Sequence, residues 1–537
     1  MELRPYNPSG VVRAIEALLL FGAGVFLVLH AVHLTADFPN FSPWMDWSKY
    51  TDEGWYGDGA IRHFQRGHWN LPGDFNAAAA LPVWPFLEAL VFHFSGVSLA
   101  AARALTVAVF GLILLVSYGL LRRHLVSSGP LASLVPAAAV LLLAVSPFCF
   151  VFTRLAILEP LLILLTLLAL LAASYASPRQ GSAGLRYFLP LVLLGVLLPL
   201  MVLTKTTAVF LFPAIAWMLY ARAGCRLRAF VHLSLVPAGL GAVLWFVYYG
   251  LLIRPHYLTD YRYLFAANAY TGITAATVFS ILQNTFTDGM WIGPLLYPLA
   301  VLAALVALLR LRGNPLVVAL LLWAAGYGAF LAYHNNLQPR YYLVIAVPLT
   351  LLTPLVLFSV WPVTRFRPIL AGAAIAALAL VALVDARHTL SYVRHPEYTY
   401  VDAADQIRQV IAAQPDRSPL VLSISGSNLS LMTGLPSICD DFGSMALADR
   451  IRTYKPGWYV AWNQVEDDKM EALAPLYHLQ RVAAFPAMDD PIRNLLIVYR
   501  LDPPLPGPPR SARSRRTIPR ALRTKIGQQP SVVQLEH

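Results

Sequence analysis

Long apolar runs separated by short basic loops constrain this 537-residue chain more than any other feature. About 20 apolar residues in a helix cross a bilayer core of about 30 Å. Runs of this kind occur eleven times, so the sequence predicts a polytopic α-helical membrane protein with about eleven transmembrane helices. They are Val11–Ala36, Ala100–Leu121, Leu131–Phe152, Pro160–Ala176, Tyr187–Leu203, Thr206–Tyr220, Phe230–Ile253, Met290–Leu309, Pro315–Tyr333, Tyr341–Trp361 and Ile369–Val384.

The composition supports the same class. Only 13% of the residues are charged and 58% are hydrophobic, whereas soluble domains contain about 25% charged residues. The net charge of +12 comes from loop arginines and a basic tail, so we expect contacts with membrane lipids and none with nucleic acid. The three cysteines are far apart and have no metal-ligand spacing, which argues against a disulfide framework or a zinc ribbon.

A twelfth apolar run, Leu81–Phe94, decides the orientation of the chain. It is short and contains Pro82, Pro85 and Glu88. If it lies in the outer interface and the N-terminus is cytoplasmic, the arginine clusters of the short loops all fall on the cytoplasmic side, as the positive-inside rule requires. If it spans the membrane, every cluster moves outside. We therefore predict an interfacial helix at 81–94, with the N-terminus inside and the C-terminus outside.

The chain divides into three parts by composition. Residues 1–384 form the membrane domain, and residues 503–537 form a disordered basic tail rich in proline and arginine. Between them, residues 385–502 predict a small α/β domain outside the cell. Its first helix is "VDAADQIRQVIAA", and its strands are "PLVLSIS", "GWYVAWN", "HLQRVAAF" and "NLLIVYRL", with further helical pieces near Ser444–Thr453 and Asp467–Pro475.

The predicted orientation places most of the unusual charges on one side. The first outer loop, residues 37–99, contains "YTDEGWYGDGAIRHF" with Asp52 and Glu53. A second long outer loop covers residues 254–289. The same side receives four further charged residues that interrupt or flank apolar runs, which are Arg154, Glu159, Lys205 and Arg340.

Each of these charged residues has a functional and a structural interpretation. Asp52 is either the base that takes a proton from an acceptor hydroxyl or part of a solvated acidic loop. Glu159 either faces a wet cavity or forms an interfacial ion pair with Arg154. Lys205 and Arg340 either bind an anion or extend to the membrane surface. Because all of them fall on one membrane face, a site for a lipid-linked phosphate is the favoured interpretation.

A metal is not required by this pattern. The sequence contains no helical histidine pair of the metalloprotease kind. A divalent ion could nevertheless bridge Asp52 and Glu159 through their carboxylate oxygens.

The succession of motifs resembles the GT-C superfamily of integral-membrane glycosyltransferases. In order, these are the outer-loop "DE", the interfacial helix ending "FHFSG", "SPFCFVFTRLAILEPLLILL", "LTKTTAVFLFP" and "QPRYYLVIAVPL". The resemblance covers about Val11–Val384. It is strongest to the protein-O-mannosyltransferase branch, family 39, and to the aminoarabinose transferases that modify lipid A.

The resemblance implies roles for seven residues. Asp52 corresponds to the acid that acts as catalytic base or places the acceptor, with Glu53 beside it. Glu159 corresponds to the acid of the second outer loop. The four residues that correspond to donor-phosphate ligands or their neighbours are Arg154, Lys205, Arg340 and Tyr341.

Together these features predict an inverting glycosyltransferase. The donor would be a sugar on polyprenyl phosphate, and the acceptor a lipid, a protein or a polysaccharide. The active site would face the periplasm from a bacterial inner membrane. The alternative is a membrane ligase or polymerase that moves whole lipid-linked glycans. A transporter is disfavoured, because the middles of the predicted spans contain almost no charge.

Overall fold

The structure is a computed structural model of the chain. It describes residues 9–125, 130–177, 185–267, 274–287, 291–310, 313–334, 338–359, 367–488 and 493–504. The predicted disordered tail lies almost entirely outside the described residues.

The protein is a multi-pass membrane protein. Among the described residues, eight helices are long and apolar enough to cross a bilayer. The remaining three predicted spans are shorter apolar helices, so all eleven predicted runs are helical. The predicted interfacial run is also a short apolar helix, of 13 residues, too short to cross a bilayer core of about 30 Å.

The helices are numbered along the chain. They are α1 (Gly10–His30), α2 (Asp52–Arg66), α3 (Val83–Ser95), α4 (Leu99–Arg123), α5 (Pro130–Val145), α6 (Pro147–Phe152), α7 (Leu158–Tyr175), α8 (Leu185–Thr204), α9 (Phe212–Arg222), α10 (Leu227–Tyr248), α11 (Leu258–Ala267), α12 (Ala275–Thr287), α13 (Leu296–Arg310), α14 (Pro315–Tyr333), α15 (Leu343–Ser359), α16 (Arg367–Arg394), α17 (Thr399–Ala412), α18 (Gly426–Thr433), α19 (Leu447–Tyr454) and α20 (Asp467–Leu473).

Several predicted spans differ from continuous helices of the predicted length; the sixth begins with the 3-10 helix Thr206–Leu211, and the eighth is an α-helix only from Leu296. The first ends at His30, so its last predicted residues belong to turns. The third is broken between α5 and α6, where Ser146 caps the new helix through the backbone N–H of Cys149 and Pro147 takes its first position. Proline lacks an N–H group, which favours the first turn of a helix over its interior.

The acidic stretch of the first outer loop is a helix, not an open loop. Asp52 and Glu53 lie in the first turn of α2, where the partial positive charge of a helix N-terminus favours carboxylates. The helix ends at Arg66 and is followed by Gly67, whose φ of 76° is readily adopted by glycine. Because the stretch is helical, its two acids point in different directions.

A five-stranded sheet forms the centre of the C-terminal domain. Its strands are β1 (Val421–Leu422), β2 (Ser437–Ile438), β3 (Trp458–Trp462), β4 (His478–Pro486) and β5 (Leu495–Asp502), in the order β2-β1-β3-β5-β4. β2, β1 and β3 are parallel, whereas β5 pairs antiparallel with β3 and β4. The four predicted strands and the predicted helix, α17, are present; β2 was not predicted, because its two residues show no periodicity.

The C-terminal domain packs directly on residues 37–99, the predicted first outer loop. Helix α18 lies against α2, and the backbone N–H of Gly54 donates to Oδ1 of Asn428 at 2.5 Å. Arg450 forms a buried ion pair with Asp74 at 2.9 Å. These contacts fix the sheet over the end of the helical bundle at which Asp52 lies.

Candidate active site

Arg340 stands at the centre of the charged cluster. It lies in the short 3-10 helix Pro339–Tyr342 that leads into α15. Its Nη2 atom is 2.5 Å from Oδ2 of Asp52, and Nη1 pairs with Asp46. The backbone N–H of Arg340 also donates to Asp46, at 2.9 Å. All three charged side chains are at least 95% buried, so the ion pairs form away from bulk water, where opposite charges interact strongly.

Glu159 and Lys205 extend the cluster on its other side. Glu159 is in the first turn of α7, and Lys205 follows the last residue of α8 with an extended backbone. The two side chains form an ion pair, and Nε of Arg340 is 3.7 Å from Oε1 of Glu159. The ammonium group of Lys205 lies 4.3 Å from the ring centroid of Tyr341. Five of the seven predicted site residues therefore meet in one place.

The other two, Glu53 and Arg154, lie elsewhere. Glu53 forms a two-point ion pair with Arg103, at 2.6 and 2.7 Å, and accepts the backbone N–H of Ala156 at 2.9 Å. Arg154 donates to backbone carbonyls just after α1, including that of Val32 at 2.7 Å. Both side chains tie the outer loops to the bundle, and neither lines the cavities described next.

Two cavities meet at the Asp52–Arg340 pair. The first, about 210 Å³, extends into the membrane domain toward Lys205 and is also lined by Thr207 and Tyr341. The second, about 290 Å³, lies between α2 and the C-terminal domain. Both are lined by Asp52 and Arg340, and also by Trp55 and Phe442. The ion pair is therefore accessible from two sides.

The surroundings of Asp52 make its carboxylate more basic than that of a free aspartate. Burial raises the pKa of this carboxyl above its ordinary value, the positive charge of Arg340 opposes the rise, and the negative charge of Asp46 adds to it. A carboxylate with a raised pKa is a better proton acceptor than a free aspartate. Asp52 thus combines access to both cavities with a tendency to take up a proton.

The cluster does not fit a divalent ion between Asp52 and Glu159. The guanidinium group of Arg340 approaches both carboxylates, and Lys205 is paired with Glu159. A divalent ion at this position would meet two positive charges. In the described part of the chain, no group of three or more histidine, cysteine, aspartate or glutamate residues is arranged to hold a metal.

Sequence reasoning missed Asp46 and the residues from the C-terminal domain. Asp46 lies in "SPWMDWSKY", where nothing in the residue pattern separates it from an ordinary loop acid. Only the fold brings it to Arg340, 294 positions away. Asp440 in "ICDDF" and Trp462 at the end of β3 line the second cavity. The sequence offers one weak signal for each: Asp440 follows a short strand, and Trp462 ends a predicted strand.

Comparison with known proteins identifies the fold. No family model and no curated protein matches the chain. Among solved structures, ArnT from Cupriavidus metallidurans bound to undecaprenyl phosphate is 16% identical, with a TM-score of 0.55 over 90% of this chain and 98% of that chain. In its apo state the same enzyme is 14% identical, and the TM-score is 0.57 over the same shares of the two chains.

The fold is of the GT-C type. The resemblance noted from the sequence motifs is therefore confirmed for the fold, including the helical membrane domain and the small C-terminal sheet. A further similar structure is the oligosaccharyltransferase of Archaeoglobus fulgidus in its apo form, 14% identical, with a TM-score of 0.50 over 83% of this chain and 69% of that chain. At these identities the likeness concerns the fold alone.

Proposed function

We propose that the protein is a glycosyltransferase that moves a sugar from a polyprenyl-phosphate carrier to an acceptor hydroxyl. The buried cluster of Asp52, Arg340, Glu159 and Lys205 carries the proposal. Two cations beside one cavity can stabilise the phosphate that leaves, and electrostatic stabilisation is usually the largest catalytic contribution. The similar fold of ArnT, whose structure contains undecaprenyl phosphate, supports a lipid-linked donor.

We propose an inverting displacement, with Asp52 between the two cavities. The acceptor oxygen would form a bond to the anomeric carbon while the bond from that carbon to the phosphate oxygen breaks, and polyprenyl phosphate would leave with the electron pair. Asp52 would take the proton of the acceptor hydroxyl. Lys205 and Arg340 would hold the phosphate, and Glu159 would hold both cations in position. Glu53 and Arg154, which contact the backbone of other outer segments, would position α2 and α1.

A transfer of one sugar is favoured over a transfer of a whole glycan. The cavity beside Lys205 measures about 210 Å³, which is below the range of about 300–1,000 Å³ typical of small-molecule sites. The site would face the periplasm of a bacterial inner membrane. This assignment rests on the loop arginines and on the positive-inside rule.

The proposal is tested with purified protein and radiolabelled polyprenyl-phosphate sugars. We expect Asp52→Asn to lower transfer at least 100-fold, because a positioned base contributes about 10²–10⁴-fold, while binding of polyprenyl phosphate persists. We expect Lys205→Gln to weaken that binding at least tenfold, since a cation at the phosphate is lost.

The matched control is Asp405→Asn, an exposed aspartate paired with Arg408, which should change neither readout. If Asp52→Asn transferred sugar as fast as the unchanged protein, Asp52 would not be the base. Unchanged binding of polyprenyl phosphate in Lys205→Gln would contradict the donor site.

A further inference from the structure

The second cavity lies at an edge of the sheet where ligands commonly bind. It is lined by Ile424, Asp440 and Trp462, which follow or end the parallel strands β1, β2 and β3. In open α/β sheets, ligands bind outside the carboxyl ends of parallel strands, where neighbouring connections leave a crevice. Opposite this edge, the cavity reaches Asp52. Its volume of about 290 Å³ is close to the lower limit for small-molecule sites.

Asp440 lines this cavity and has one unpaired oxygen. Its side chain is 97% buried, and Tyr459 is its hydrogen-bond partner. Oδ1 of Asp440 has no hydrogen-bond partner among the described residues. Buried polar atoms are nearly always paired, so an unpaired one in a residue that lines a cavity points to a missing polar partner there. A carboxylate accepts a hydrogen bond from a hydroxyl group, and a protonated carboxyl donates one.

The charges around the cavity disfavour an anionic ligand. Four carboxylates line it against three cations, and two of these cations already have close partners. Lys469 is 2.7 Å from Asp468 and 3.4 Å from Asp441, while Arg340 is held within the catalytic cluster. The third, Arg493, lies over the ring of Trp47 at 3.9 Å. Among the described residues, Arg493 is the one lining cation not paired with a carboxylate, so a phosphate group here would find a single available cation beside Asp441 and Glu466.

The remaining lining is mostly aromatic. Trp47, Trp55, Trp462, Tyr459 and Phe442 contribute rings to the wall. A wall of apolar rings with a few oriented polar groups suits a ligand with one apolar face and several hydroxyl groups. A sugar ring has that character.

We propose that this cavity is the acceptor site and that it takes an uncharged sugar residue, whose hydroxyl groups bond with Asp440 and whose ring lies against the aromatic wall. The inference rests on the proposed transferase function and names its acceptor. One acceptor hydroxyl would then reach Asp52, the acid that lines both cavities. The hydroxyl oxygen would bond to the donor's anomeric carbon, and its proton would pass to Asp52.

The test is saturation-transfer NMR on the purified full chain in lipid nanodiscs. The probes are glucose, galactose and mannose, each compared with its 6-phosphate. We expect at least one uncharged hexose to give a signal at least fivefold stronger than that of its phosphate. We also expect this signal to fall at least fivefold in Gln464→Trp, which fills the exposed rim of the cavity, and in Asp440→Ala.

Asp449→Asn is the matched control, because Asp449 belongs to the same domain but forms an exposed pair with Arg452; it should keep the full signal. If Asp440→Ala unfolds, Gln464→Trp still tests the site, because Gln464 is exposed and its replacement should not disturb folding. A stronger signal from the phosphates, a signal unaffected by Gln464→Trp, or no hexose signal at all would overturn the inference. Binding of polyprenyl phosphate is measured on the same samples. Its loss would contradict the transferase function, whereas its presence without hexose binding contradicts the acceptor site alone.

Discussion

At the scale of single residues, the site depends on carboxyl groups held in unusual surroundings. Asp52 is paired with Arg340 but lies beside two further acids. In the C-terminal domain, burial raises the pKa of Asp440 from 3.8 to about 7, and Asp441 and Glu466 act in the same direction. Lys469 and the Tyr459 hydroxyl oppose this rise. Such perturbed acids occur at functional sites more often than elsewhere.

The raised pKa of Asp440 predicts how stability depends on pH. The folded protein holds a proton on Asp440 up to about pH 7, whereas the unfolded chain releases it near pH 4. The free energy of unfolding therefore falls as the pH rises between these values and is flat above pH 7. At about 1.4 kcal/mol per pKa unit, the loss is on the order of 4 kcal/mol.

We expect the midpoint of thermal unfolding in detergent to drop less between pH 5 and pH 8 in Asp440→Asn than in the unchanged protein. A smaller drop should persist, because burial also raises the pKa of Asp37 and of Asp58 to about 6. Asp449→Asn should behave like the unchanged protein. Equal pH dependence with and without Asp440 would contradict the predicted shift.

At the scale of elements, glycines allow α2 to lie close to its neighbours. A Cβ atom on Gly54 would collide with the backbone of Ser427 and Asn428 in α18, and one on Gly57 would collide with Glu88 in α3. In the motif "DEGWYGDG", the acids therefore form ion pairs, whereas the glycines allow neighbouring helices to approach. Close approach of α18 brings the edge of the C-terminal sheet over Asp52.

Gly54→Ala tests this packing. We expect it to destabilise the protein by about 1–3 kcal/mol, the usual cost of overpacking, because the atoms in the way are backbone and cannot rotate aside. Transfer activity should fall as α18 is displaced. Gly24→Ala is the control, since a Cβ atom there meets nothing within 4 Å; its effect should be neutral or stabilising. The midpoints of thermal unfolding of the two variants are compared. Equal midpoints would contradict the close contact between Gly54 and α18.

At the scale of the whole molecule, the site is assembled from distant parts of the chain. Asp52, Glu159, Lys205 and Arg340 belong to four segments that meet at one end of the helical bundle. The C-terminal domain packs on the same end through α18. The loop arginines predict that this end of the bundle faces outward.

The orientation is tested with a membrane-impermeant maleimide on spheroplasts that express the protein. Cys225 is exposed and follows α9, on the predicted cytoplasmic side, and His68→Cys places a second exposed thiol in the first outer loop. We expect the reagent to label the introduced thiol in sealed cells and Cys225 only after permeabilisation. Labelling of both thiols in sealed cells would mean that α3 spans the membrane, whereas labelling of Cys225 alone would mean that the orientation is reversed.

Several parts of this molecule could be predicted from the sequence, and they share one physical origin. The eleven apolar runs became helices because a helix satisfies its own backbone hydrogen bonds in lipid, whatever it packs against. Five charged or aromatic site residues were recognised because charges near an apolar run are costly and therefore informative. The strands of residues 421–422, 458–462, 478–486 and 495–502 were recognised by their short apolar patterns.

The sequence by itself determined the class of fold and most of the buried charged cluster, because insertion of apolar helices and avoidance of isolated charges depend on local composition. Only the tertiary structure decided which acids act together. It separated Glu53, bound to Arg103, from Asp52, and it brought Asp46 to Arg340 across 294 positions. It also placed Asp440 opposite Asp52 across the second cavity. Such pairings depend on distances between segments far apart in the chain, which no local pattern of residues specifies.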